Sequence, residues 1–268
     1  MLLAALKRVN ARLPAEESIA LRVTVMIAVV MAGLAVAGQG VGGVLLRLAV
    51  AAGIPAAFVF SHVTRHRDGF WLKAGLAIGV MVSALGRISG GHFNPAVTLG
   101  ALAGRQITAR LAVLYWGSQL LGALAAALGL FLIFPSGAWQ PTHLGTPALG
   151  SGLPLAPSGS WSVTPIGGIL IEAILTFLLV TVVFGTGIDP KGTFNAVGGF
   201  AIGLTIAIDI MMGGPLTGAA MNPARWFGPA VVSQFFDNWY VYWIGPFLGA
   251  VAAGLLYSRV FLGKSADK

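Results

Sequence analysis

Apolar runs long enough to cross a lipid bilayer recur seven times along the chain, at about 18–38, 43–63, 70–88, 111–134, 164–186, 195–212 and 239–262. A hydrocarbon core about 30 Å thick takes roughly 20 apolar residues per helical crossing. Two shorter amphipathic pieces, near 94–104 and 222–232, interrupt the series. They are too short to span, so they read as re-entrant half-helices, which survive at membrane depth only where protein or a cavity surrounds them.

The charge content agrees with this. Only 9% of the 268 residues are charged and 57% are hydrophobic, whereas a soluble domain carries about 25% charged residues. So few charges cannot clothe a water-facing surface. The net charge of +8 fits cationic cytoplasmic flanks. Arg105, Arg110, Lys191, Arg259, Lys264 and Lys268 fall between or after apolar runs and mark the cytoplasmic side, while 135–163 has no Lys, Arg, Asp or Glu and reads as a non-cytoplasmic loop. Scattered cations give no nucleic-acid footprint. The absence of cysteine excludes disulfides and thiolate chemistry. Met1–Glu17 is mixed in charge and lacks a small-residue cleavage pattern, so no signal peptide is expected.

One tripeptide occurs twice. Asn94-Pro95-Ala96 returns as Asn222-Pro223-Ala224, and the residues before it match in kind, Ser89-Gly90-Gly91-His92-Phe93 against Thr217-Gly218-Ala219-Ala220-Met221. A given tripeptide arises by chance about once in 8000 positions. Three crossings separate the copies, and an odd number delivers the second copy from the opposite face. The two loops therefore enter the membrane from opposite sides, as an inverted repeat.

The residue types suit such a helix start. Asn caps a helix, and Pro fits the first helical position because its missing N–H has no partner there. Each start carries roughly half a positive charge, so two starts facing each other repel protons and cations. The Asn94 and Asn222 amides are candidate donors to a passing oxygen. Extended backbone at Gly90, Gly91 and His92, and at Gly218, Ala219 and Ala220, is expected to line the passage with carbonyl acceptors. Arg225 follows the second motif, and an arginine at membrane depth is functional by default; the alternative is a structural ion pair.

SGGHFNPAVTLG (89–100) and GGPLTGAAMNPARWFGPA (213–230) resemble the two signature loops of the aquaporin, or major intrinsic protein, family, and the resemblance runs from about Ala74 to Tyr257. It implies an all-α membrane protein: a right-handed bundle of six transmembrane helices plus two re-entrant half-helices, a single channel domain over 1–268 with inverted halves at about 18–134 and 164–262. It further implies one pore per subunit, a homotetramer, a multi-pass location in the cell (plasma) membrane, and as partners the lipid bilayer, water and small neutral solutes. By this resemblance the outer constriction falls on Ala74, Ile210, Ala219 and Arg225. Water-selective members usually have Phe and His at the first two positions, and both are absent. The set resembles nodulin-26-like channels that pass boric acid and similar metalloid acids, urea or glycerol. Trp226, Ala230, Tyr242 and Trp243 look instead like the water-channel branch, which leaves the solute open.

Glu172 matches a family glutamate that braces a re-entrant loop; a proton relay is the other reading. Asp209 either pairs with Arg225 or faces the outer vestibule. Arg87, where the family usually has His, either gates the cytoplasmic mouth or snorkels. His62, His66 and His143 read as loop residues rather than metal ligands. The family has two crossings before its first motif and this chain has three runs, so either there is an extra N-terminal helix or one of 18–38 and 43–63 does not span. A coupled transporter needs ion-binding groups at the midplane, and only Glu172 and Asp209 accompany Arg225. No cofactor loop, paired carboxylates or Ser/His/Asp arrangement supports an enzyme, and no cofactor is expected.

Overall fold

The computed structural model describes residues 70–154, 159–192 and 197–262. The runs at 18–38 and 43–63, with His62 and His66, lie outside the described residues, as does the side chain of Arg87. Numbered in order among the described residues, the helices are α1 (Phe70–Ser89), α2 (Pro95–Ala103), α3 (Ala109–Ile133), α4 (Ser136–Trp139), α5 (Pro165–Val183), α6 (Gly198–Thr217), α7 (Pro223–Ser233) and α8 (Val241–Val260).

Four of them, α3, α5 with its π-helical extension to Ile188, α6 and α8, are long and apolar enough to cross a membrane. α1 is equally long at 20 residues, with its apolar stretch at Ala74–Gly86. The two half-helices are 9 and 11 residues long. At 1.5 Å per residue they reach only about 14 and 17 Å, roughly half the hydrocarbon thickness.

The packing carries the repeat. α2, in the first half, lies against α8, the last helix of the second half, and α7 lies against α3, the last helix of the first. Each half-helix has glycine six residues after its Asn. A Cβ on Gly100 would stand 2.9 Å from the carbonyl oxygen of Ala250, and one on Gly228 would collide with the carbonyl oxygen of Ala123. With little hydrophobic force between helices in lipid, such close backbone approach supplies the dispersion contact that holds them. α1 and α6 cross at two facing small-residue pairs, Gly75/Gly79 and Gly199/Gly203. A Cβ on Gly79 would lie 2.9 Å from the Gly199 oxygen, and one on Gly199 would lie 2.7 Å from the Gly79 oxygen.

The outward faces are apolar: Leu121, Leu132, Ile166 and Leu170 are all exposed, as lipid-facing residues are. The segment after α3 is more ordered than a plain loop. It forms α4, a 3-10 turn at Gln140–Gly145, and a two-residue antiparallel ladder pairing Leu153 with Trp161 and Pro154 with Ser160. The all-α expectation thus holds for the bundle and gives way in this connection. Gly150 N donates to Leu216 O at 2.7 Å, and Thr146 Oγ1 lies 3.4 Å from Ser233 Oγ, so the segment is seated against the second motif loop and α7.

Candidate functional site

Both motifs start helices in the same way. Asn94 has φ −153° and ψ 120°, Asn222 φ −152° and ψ 107°. Each side-chain oxygen accepts from the backbone N–H two residues on, Ala96 at 2.8 Å and Ala224 at 3.0 Å, and Pro95 and Pro223 occupy the first helical position. The cap thereby satisfies one of the four N–H groups that a helix start leaves open.

The side-chain nitrogens then tie the copies to each other. Asn94 Nδ2 donates to Met221 O at 2.7 Å, and Asn222 Nδ2 donates to Phe93 O at 3.0 Å. Each Asn grips the carbonyl just before the other Asn, so the bonds are reciprocal, as a two-fold repeat requires. An amide nitrogen has two hydrogens; one is spent across the pair, and the second remains for a molecule in the lumen. α2 runs from this meeting point toward Arg105. α7 runs the other way, toward Ser233 and the Thr146 segment.

The backbone before each motif is largely left-handed rather than extended, though His92 and Ala220 keep negative φ. Gly90 (φ 77°), Gly91 (φ 67°), Gly218 (φ 80°), Ala219 (φ 43°) and Met221 (φ 50°) are left-handed. The reason is geometric. The chain leaves a full-length helix and starts a half-helix within five residues, and that reversal needs positive φ. Gly accepts it freely, while Ala219 and Met221 hold a conformation costing about 1–2 kcal/mol each. Glu172 offsets this. Fully buried on α5, it accepts from Thr217 Oγ1 at 2.7 Å and Ala220 N at 2.8 Å on Oε1, and from Met221 N at 2.6 Å on Oε2.

The carbonyls expected as acceptors divide. His92 O accepts from the Gln119 side chain and Gly91 O from Phe93 N. Among the described residues no backbone N–H donates to the carbonyls of Gly90, Gly218, Ala219 and Ala220. Sequence reasoning missed the helix that holds the first loop. Tyr115, Trp116 and Gln119, neighbours on α3, donate to the carbonyls of Ser89, Pro95 and His92. Tyr242 on α8 mirrors Tyr115, donating to Thr217 O at 3.1 Å; Ser89 and Thr217 each lie five residues before their Asn. The match of Gly100 with Gly228 was visible by aligning the copies, whereas at that offset Tyr115 falls on Trp243, one residue past Tyr242. Gln119 had no sequence signal beyond being polar in an apolar run.

A cavity of about 690 Å³ runs from the α5–α6 connection to Arg225. One wall is apolar: Ile78, Val82, Leu179, Val183, Ile202 and Ile206. The other carries Gly90, Gly91, His92, Asn94, Ala220, Asn222 and Arg225. Ala74, Ile210 and Ala219 do not border it and are all but fully buried, so the open space ends at Arg225. Asp209 departs from both expectations. It is fully buried, and among the described residues, Arg225 included, neither carboxylate oxygen has a hydrogen-bond partner. It stands on the α6 face that carries Gly213, whose Cβ would collide with Leu175 of α5, so the helix contact seals it in.

Two opposed helix starts, cross-tied by their capping residues at the wall of one cavity within a multi-pass apolar bundle, define a class of membrane channel. The comparisons assign the class more closely. The family described as major intrinsic protein matches residues 16–257. Aquaporin TIP2-1 of Arabidopsis thaliana is 43% identical over 192 residues, 71% of this chain and 71% of that one. Aquaporin TIP4-4 of Zea mays is 41% identical over 193 residues, covering 72% and 71%. Among solved structures, the aquaglyceroporin from Plasmodium falciparum superposes with a TM-score of 0.64 at 25% identity, over 81% of this chain and 94% of that one. The chain belongs to the major intrinsic protein family. It is a multi-pass membrane channel of the kind that passes water and small solutes, not an enzyme.

Proposed function

We propose that this chain is a passive pore for small uncharged solutes, namely water together with glycerol, urea or metalloid acids such as boric and arsenous acid, and that it excludes protons and ions. The observation that carries the reading is the reciprocal tie between Asn94 and Asn222 at the wall of the cavity. It leaves one amide hydrogen of each Asn for the permeating molecule and aims two helix starts at the same point. A cation there meets two positive helix ends and Arg225, and among the described residues lining the cavity there is no carboxylate to replace its water.

In this reading Ala74, Ile210, Ala219 and Arg225 form the outer constriction. Three apolar side chains leave Arg225 as the one strong donor and give little steric rejection of polyols. The apolar wall of the inner cavity supports solutes with a hydrocarbon face. The relatives named as aquaporins and the neighbour named an aquaglyceroporin support water and glycerol respectively. Strict water selectivity is the second reading, favoured by the end of the cavity at Arg225. Chain 1–268 acts as one channel domain of two inverted halves, at about 18–134 and 164–262. It assembles as a homotetramer, for which the facing glycine pairs of α1 and α6 keep those helices slim, and it resides in the plasma membrane.

The test is stopped-flow light scattering on proteoliposomes of the purified chain. Water flux together with glycerol, urea or boric acid flux at several times that of empty vesicles is the expected result. High water flux with all three solutes at the empty-vesicle level would sink the broad-solute reading and leave the water-only one.

A further inference from the structure

The two motif loops are held by opposite chemistry. The second is gripped at its N–H groups by the carboxylate of Glu172. The first is gripped at its carbonyls by donors on α3. Among these donors Gln119 alone reaches two groups at once. Its side chain is buried, and its Nε2 donates both to His92 O and, at 3.0 Å, to Thr98 Oγ1. That uses both amide hydrogens. The amide orientation is not free, because a flip would set Oε1 against the His92 oxygen, acceptor against acceptor. Oε1 is left without a partner, and an orphan acceptor is tolerated only where the two donated bonds outweigh it.

The consequence passes through Thr98. Its hydroxyl stands 3.1 Å from Asn94 O and 3.4 Å from His92 Nδ1. A hydroxyl has one hydrogen and two lone pairs. The hydrogen goes to the nearer acceptor, Asn94 O, and Gln119 fills one lone pair. The remaining lone pair faces His92 Nδ1, which must then bring the hydrogen. In the neutral ring this fixes the proton on Nδ1 and leaves Nε2 as an acceptor. The ring is held in place by stacking on Tyr115 (centroids 4.8 Å apart, planes at 23°). His92 borders the cavity, and no hydrogen bond inside the protein engages Nε2 among the described residues.

We infer that Gln119 and Thr98 are positioning residues of the pore: Gln119 anchors the His92 carbonyl and the Thr98 hydroxyl sets the His92 ring tautomer, so that the inner half of the passage offers Nε2 as an acceptor for solutes rich in N–H or O–H donors. This rests on the channel reading above. It deepens that reading by assigning the inner half a preference of its own, for donor-rich solutes such as urea, separate from the constriction at Arg225.

The experiment has two arms on the full chain. Solid-state ¹⁵N spectra of histidine-labelled protein in bilayers, with His92 assigned by difference against His92→Gln, are expected to show the Nδ1–H form in the wild type and the Nε2–H form in Thr98→Val. Thr98→Val removes the hydroxyl with almost no change of shape, while Thr98→Ser keeps the hydroxyl and is expected to keep the Nδ1–H form. In the second arm, the urea-to-water permeability ratio, which does not depend on how much protein each vesicle carries, is expected to fall roughly threefold or more in Thr98→Val, as loss of one acceptor contact of ordinary strength gives, and to stay near the wild-type value in Thr98→Ser. An Nε2–H wild-type ring, or a ratio unchanged in Thr98→Val, overturns the inference. Wild-type vesicles no leakier than empty ones overturn the channel reading instead, and the spectra still report on the tautomer.

Discussion

Glu172→Gln keeps the shape of the brace on the second loop and changes only its hydrogen bonding. The carboxylate receives three donors at 2.6–2.8 Å. With the amide oxygen retained near Met221 N, the new NH₂ faces the Ala220 N–H, donor against donor, and the Thr217 hydroxyl must reverse to accept. The other placement orphans Met221 N–H instead. Either way one buried backbone donor loses its partner, at about 1–3 kcal/mol, and the two remaining bonds lose their charge assistance, about 1 kcal/mol each. The sum is about 4 kcal/mol. A rival expectation comes from interhelical hydrogen bonds in membranes, which average about 0.6 kcal/mol because the separated helices find other partners. That escape is closed here. Ala220 and Met221 lie in the irregular backbone between α6 and α7, Met221 itself left-handed, with no helical carbonyl to turn to, and buried Arg225 loses the carboxylate whose charge it feels. Thermal unfolding of the detergent-solubilised protein, followed by tryptophan fluorescence, is expected to shift down by about 8–16 °C at 2–4 °C per kcal/mol. A shift under about 3 °C with full water flux in vesicles would refute the brace as an energetic element.

Gly228→Ala puts a methyl against the Ala123 carbonyl oxygen; overpacking of this kind costs about 1–3 kcal/mol, so a lower unfolding temperature is expected, while Gly117→Ala, with open space around it, leaves that temperature unchanged or raised. Asn94→Ala removes both a cap, worth about 1 kcal/mol, and the 2.7 Å tie to Met221 O; water flux per channel is expected to fall, and an unaltered flux measured against the same amount of reconstituted protein counts against the role given to the pair. Arg225→Ala removes the strong donor and cation at the end of the cavity, so the glycerol-to-water ratio is expected to rise and a proton leak, read with a pH-sensitive dye, to appear.

The long helices were legible because lipid imposes one rule on every residue facing it: the runs at 164–186 and 239–262 reappear as α5 with its extension and as α8 within a few residues at each end. The half-helices were legible for another reason, since Asn-Pro states a cap and a first turn in two residues. The structure corrects the reading where side chains act at a distance in sequence. Extended backbone was the natural expectation for Gly90-Gly91, but glycine also permits the left-handed turn, and the need to reverse direction chose it. Gln119 lies 27 residues from His92, and nothing local marks it. Asp209 went astray because a carboxylate in an apolar run suggests a charged partner, whereas the fold leaves it sealed and unbonded between α5 and α6.

The physical asymmetry between the halves is what the repeated motif conceals. Two copies of Asn-Pro-Ala with superposable caps predict two equivalent loops, yet one loop is anchored by a buried acid through its amides and the other by neutral donors through its carbonyls. An anchor that takes up amides leaves carbonyls to other donors, and among the described residues no backbone N–H donates to those of Gly218, Ala219 and Ala220, while the first loop has surrendered that of His92 to Gln119. Backbone acceptors therefore gather on the side of the passage that also holds Arg225, and the inner side relies on a ring nitrogen and an apolar wall. The near-symmetric frame sets where a molecule passes, and the unsymmetric anchors set what it meets on the way.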